Sequence, residues 1–82
     1  MKIYKYKIQW LFDKTNAIKA IKLIGVRNLD RVLIRDRDLN IIDEYSGFIM
    51  HPFGVAENET CKYIRKIFRT NSSANSVELL RR

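Results

Sequence analysis

Residues 2–25, KIYKYKIQWLFDKTNAIKAIKLIG, hold a strand and a helix in direct succession, and the rest of the chain is read from them. Tyr4, Tyr6, Ile8, Trp10 and Phe12 take the even positions, while Lys5, Lys7 and Gln9 fall on odd ones. Successive side chains of a strand point to opposite faces, so this period of two predicts a half-buried strand over residues 2–12 with the aromatic side inward. Asp13-Lys14-Thr15-Asn16 then breaks the alternation and supplies capping oxygens. Ala17, Ala20, Ile21 and Ile24 recur at helical spacing before Gly25, a residue suited to a left-handed stop. Together they predict a helix over residues 15–24.

Further along, Val32 and Ile34 alternate with Arg31, Leu33 and Arg35, the pattern of a second strand. Asp36-Arg37-Asp38 supplies turn residues ahead of an apolar run over residues 39–42. Ser46-Gly47 either bends that third strand or closes another hairpin onto residues 48–53, where Pro52 marks an edge or an exit. A second helix is predicted over residues 56–69: Glu57 and Glu59 suit its first turn, Lys66 and Arg69 its last, and Cys61, Ile64, Ile67 and Phe68 form an apolar stripe. Residues 77–82 read as an edge strand, or as a short helix capped by Asn75. The order β-α-β-β-(β)-α-(β) describes an α+β fold, a small antiparallel sheet with two helices on one face, and a ferredoxin-like topology leads. One domain over residues 1–70 is expected, followed by a short polar linker and C-terminal segment over 71–82.

With 82 residues there is room for one core. A domain of this size buries about 60 to 65% of its unfolded surface, so its stability is expected to be modest. One Cys and one His exclude a disulfide framework and a four-ligand zinc site, and no metal or cofactor is expected. The apolar runs fall far short of the roughly 18 to 20 residues of a membrane span. With no signal-like apolar core at the N-terminus, the expected setting is the cytoplasm, with no membrane partner.

The net charge of +7 is unevenly distributed. Residues 1–37 carry ten Lys and Arg against three Asp; residues 38–59 carry five acids and no Lys or Arg; residues 60–82 carry six basic residues against Glu78 alone. Such segregation lets one surface attract nucleic acid or an acidic protein while another stays acidic. Lys62, Arg65, Lys66 and Arg69 recur at spacings of three and four on the second predicted helix, opposite its apolar stripe. They form either an ordinary solvated face or a row matched to phosphates. Lys19 and Lys22 on the first helix, flanked by Lys14 and Arg27, extend that surface if the helices pack together. Lys5 and Lys7 belong to the outward face of the first strand. Tyr4, Tyr6 and Trp10 could stack on bases, but they share a face with Ile8 and Phe12, which favours the core.

Other features carry less. Asp36-Arg37-Asp38-Leu39-Asn40 copies the start of a calcium loop, yet Ile41 stands where that loop needs Gly and Gly47 where it needs Glu. A tight turn explains it better. Asp43 and Glu44 are adjacent on a strand and point apart, which opposes a paired acid and base. His51 has no orienting partner at any telling spacing. The succession of helix, Gly25, strands, His51-Pro52 and helix loosely resembles the HicA-like toxins, which are small RNases. The catalytic His of that family lies in a Gly-Ser-His motif on an early strand, where this chain has Arg31-Val32-Leu33-Ile34, so the role transfers to no residue here.

The expected function is therefore that of a small basic non-catalytic binding protein, docking on nucleic acid or on a nucleic-acid-handling protein. Its partner-binding residues are expected to be Lys62, Arg65, Lys66, Arg69, Lys19, Lys22, Lys5 and Lys7. An alternative is a compact inhibitor or adaptor of phage or mobile-element type, consistent with eleven Ile against seven Leu, a bias that AT-rich coding produces. A minimal RNase using His51 is the third reading.

Overall fold

A computed structural model describes Ile8, residues 10–46 and residues 55–82. The described chain runs β1 (Trp10–Phe12), α1 (Lys14–Ile24), a 3-10 turn (Val26–Asn28), β2 (Leu29–Arg35), β3 (Ile41–Tyr45), α2 (Val55–Thr70) and β4 (Ser76–Arg81). The fold is α+β, with a four-stranded antiparallel sheet and two helices among the described residues. The sheet order is β1-β4-β2-β3. This places the second and fourth strands at the centre, whereas a ferredoxin-like sheet centres its first and third.

The largest departure from expectation is at the C-terminus. Residues 77–82, anticipated as an edge strand or a short helix, instead supply most of β4 (Ser76–Arg81), which pairs on both sides: with β1 through Trp10↔Leu79 and Phe12↔Val77, and with β2 through Val32↔Leu79 and Ile34↔Val77. A strand bonded on both edges has its backbone donors and acceptors satisfied within the sheet, which makes β4 a central structural element.

The first helix forms where its capping residues place it. Asp13 is the N-cap, and its carboxylate accepts the Asn16 backbone N–H at 2.8 Å. At the other end Gly25 has φ +88°, a value that side-chain-bearing residues rarely adopt, and its N–H donates to Ile21 O at 2.9 Å. The Asn28 side chain donates to Ile24 O at 2.8 Å, satisfying a further carbonyl of the last turn.

Ala17 and Ile21 of α1, Cys61 and Ile64 of α2, and Val32, Ile34, Val77 and Leu79 of the central strands make one core between the helices and the sheet. Trp10 and Phe12 pack against that core while Leu11 between them is exposed, so the alternation holds over the described part of the first strand. Tyr4, Lys5, Tyr6, Lys7 and Gln9 lie outside the described residues, as do Phe48, His51 and Pro52.

The opposite sheet face is not a simple solvated surface. Leu11, Glu78, Leu33 and Glu44 align across the four strands in register. Leu33 and Glu78 are nonetheless buried, Glu78 completely. The Arg35 guanidinium explains how a carboxylate survives there: Nε and Nη2 donate to Glu78 Oε1 at 3.0 and 2.6 Å. Nη1 donates to the carbonyl of Leu39 in the β2–β3 turn. A buried charge is tolerable only when paired and hydrogen-bonded in this way.

Candidate partner-binding surface

The second helix turns its cations outward for a geometric reason. At 3.6 residues per turn each residue advances about 100°, so Lys62, Arg65, Lys66 and Arg69 span an arc of about 100° away from Ile64. All four are exposed, while Thr60, Cys61 and Ile64 are buried. The same rotation puts Lys19 and Lys22 on the outer side of α1, away from buried Ala17 and Ile21, and both are exposed. Leu23 shares this side and is 87% exposed, an apolar side chain standing among cations.

The two helices pack against each other over the same sheet face, which brings Lys22 of α1 and Arg65 of α2 to either side of one seam. The seam between them is marked by Cys61. Burial pushes its thiol above the ordinary range, and the positive charges of Arg65 on α2 and Lys22 on α1 pull it partly back, so both cations lie near one sulfur. The helices together carry seven cations against Glu57 and Glu59. The β2–β3 hairpin has the opposite balance, three arginines against five carboxylates.

None of the six cations Lys19, Lys22, Lys62, Arg65, Lys66 and Arg69 is engaged with a carboxylate among the described residues. The ion pairs found there belong to β2, where Arg31 meets Asp30 at 3.2 Å and Glu44 at 3.1 Å and Arg35 meets Glu78. Two of the hairpin's three arginines are thus paired with carboxylates, while the cations of the helix layer face outward. Lys5 and Lys7, grouped with these cations from the sequence, lie outside the described residues.

Two other candidates, the Asp36–Asn40 turn and the Asp43-Glu44 pair, have structural roles. Asp36 Oδ1 accepts the backbone N–H of Asp38 and of Asn40, both at 2.9 Å, so this carboxylate closes its own turn. Those donors, Asn40 first, hold its pKa below the ordinary value. An open cavity of about 410 Å³ lies between this turn and residues 72–75. No group of three or more His, Cys, Asp or Glu side chains that could hold a metal occurs among the described residues.

Asp43 and Glu44 diverge as strand geometry requires. Glu44 bonds Arg31 on one face, while Asp43 stands near the Tyr63 hydroxyl of α2 on the other. That hydroxyl is buried and, among the described residues, makes no hydrogen bond of standard length and angle. Burial, with the negative charge of Asp43 added, pushes the phenol well above its ordinary range. The Tyr63 ring stacks on Tyr45 with centroids 4.7 Å apart.

Sequence reasoning missed Arg35 and Glu78, because nothing in the local pattern pairs residues 43 positions apart. It also passed over Leu23, whose outward position was available from helical spacing alone. No helix among the described residues is long and apolar enough to cross a membrane. Comparison of the chain with protein-family models, with curated proteins and with solved structures finds no match in any of the three.

Proposed function

We propose that this chain is a non-catalytic binding protein whose helix layer docks on nucleic acid, or on a nucleic-acid-handling protein complex. The observation that carries this reading is the set of six exposed helix cations with no carboxylate partner among the described residues. Exposed cations left unpaired on one side create a positive field over a contiguous surface, which concentrates polyanions and speeds their encounter. Arg65 and Arg69 add planar guanidinium groups able to hold a phosphate through two parallel hydrogen bonds.

A second reading is favoured by the charge of the hairpin. Its excess of carboxylates beside a cationic helix layer suits a compact inhibitor or adaptor that meets another protein with both signs of charge, a device that fixes register and excludes wrong partners. The two readings separate in one experiment. The tagged chain is used to capture partners from a cell lysate, with and without prior nuclease treatment. Recovery that vanishes with nuclease supports docking on nucleic acid. A single protein recovered in stoichiometric amount despite nuclease supports the inhibitor or adaptor.

A further inference from the structure

Resting on the reading that the helix layer meets nucleic acid, we infer that its ligand is the sugar–phosphate backbone of a duplex rather than a single strand. Two independent observations lead there. The first concerns aromatics. Proteins that hold single strands interleave cations with exposed rings on which bases stack. Neither helix exposes one: Tyr63 and Phe68, the aromatic residues of α2, are half-buried against the core, and α1 has none. Among the described residues of the sheet, Trp10, Phe12 and Tyr45 also pack against the core. Trp10 lies beneath the Arg81 guanidinium at 5.2 Å, and Tyr45 is stacked on Tyr63. Among the described residues, the helix layer offers charge and no platform for a base.

The second observation is the width of the charged surface. One helical row of cations is enough to track one strand of phosphates. Here the charge is spread over two helices, with Lys19 and Lys22 on α1 and Lys62, Arg65, Lys66 and Arg69 on α2. Packed helices have axes about 8 to 10 Å apart. The grooves of a DNA duplex are about 6 and 12 Å wide, so the phosphates bordering a groove are separated on the same scale as two adjoining helices. Along α2, Lys62 to Arg69 covers about 10 Å at about 1.5 Å per residue, enough for two or three phosphates at about 3.4 Å of rise per strand. A duplex presents two phosphate ridges at this separation, and a single strand presents one. With no base platform on either helix, a contact made through the helix layer reads backbone geometry and not sequence.

The test is fluorescence anisotropy of the full chain against three labelled probes of equal length: a mixed-sequence DNA duplex, the corresponding RNA duplex and single-stranded oligo-dT. Binding to at least one duplex is expected to exceed binding to oligo-dT by about tenfold or more at equal salt. If six cations each neutralise a phosphate, duplex affinity should fall about a thousandfold between about 50 and 200 mM salt. Lys19→Gln with Lys22→Gln should lower the log–log salt slope for the duplex by about 2 and weaken binding accordingly. Oligo-dT bound as tightly as either duplex overturns the inference and leaves the nucleic-acid reading standing. Duplex binding indifferent to the α1 substitutions overturns the two-helix geometry. Failure of all three probes to bind overturns both the inference and the reading beneath it.

Discussion

Replacing Glu78 with Gln tests the least expected feature of the fold. The substitution keeps the shape and removes the charge, leaving the Arg35 guanidinium, whose side chain is 8% exposed, opposite a neutral amide. Of that guanidinium's hydrogen bonds among the described residues, those from Nε and Nη2 end on Glu78 Oε1 and that from Nη1 on the Leu39 carbonyl. Breaking a buried pair by removing one partner costs about 3 to 5 kcal/mol, because the survivor stays desolvated and unpaired. A chain of this length has a total stability of roughly 4 to 12 kcal/mol at about 0.05 to 0.15 kcal/mol per residue. Glu78→Gln is therefore expected to consume a large share of the fold's stability, lowering the thermal midpoint by about 12 °C or more.

Urea denaturation followed by far-UV circular dichroism reads the loss directly. A double variant separates the charge from the packing: Arg35→Met with Glu78→Leu replaces the pair with apolar groups and should recover most of the stability. A loss below about 0.5 kcal/mol for Glu78→Gln would refute the reasoning, since that is the range of an ordinary surface substitution.

Other outcomes follow from single contacts. Asp13→Ala removes the N-cap bond to Asn16 and should cost about 1 kcal/mol in urea denaturation. The raised Tyr63 phenol sets an alkaline limit: its contribution to stability is intact below about pH 10, the unfolded value, and is lost as pH rises toward the higher folded value. Stability measured across the alkaline range should fall less steeply in Tyr63→Phe than in the parent chain. Cys61, buried and with its thiol pKa raised, should react with a thiol reagent at neutral pH far more slowly in the native chain than in denaturant.

How much of this was legible in the sequence depends on how local the signal is. The first helix was readable because Asp13 and Gly25 act within one turn of it, and the second because Cys61, Ile64, Ile67 and Phe68 repeat at helical spacing. The alternation of Val32 and Ile34 marked β2 in the same way. The central position of β4 was hidden by two features. The polar run over residues 70–76 resembles a linker, and Glu78 between Val77 and Leu79 resembles the solvated side of an edge strand. Glu78 is buried because Arg35, remote in sequence, supplies its counter-charge, and no local pattern records that. Strand order is non-local for the same reason.

On the candidate surface, the row over Lys62, Arg65, Lys66 and Arg69 could be read from spacing. Whether Lys19 and Lys22 would join it depended on the two helices packing side by side, which only the fold reveals.

The outward helix charge is tested most directly by reversing it and comparing the result with an equal reversal elsewhere. Lys62→Glu with Lys66→Glu alters exposed residues of α2, and Arg37→Glu with Arg82→Glu alters exposed residues outside both helices. Each pair changes the net charge by the same amount, so anisotropy with a labelled duplex at fixed salt isolates position from total charge. Binding should be lost in the α2 variant and largely kept in the other, with both retaining the parent circular dichroism spectrum. Equal weakening by the two folded variants, or undiminished binding by the α2 variant, would contradict a partner-binding role for the helix layer.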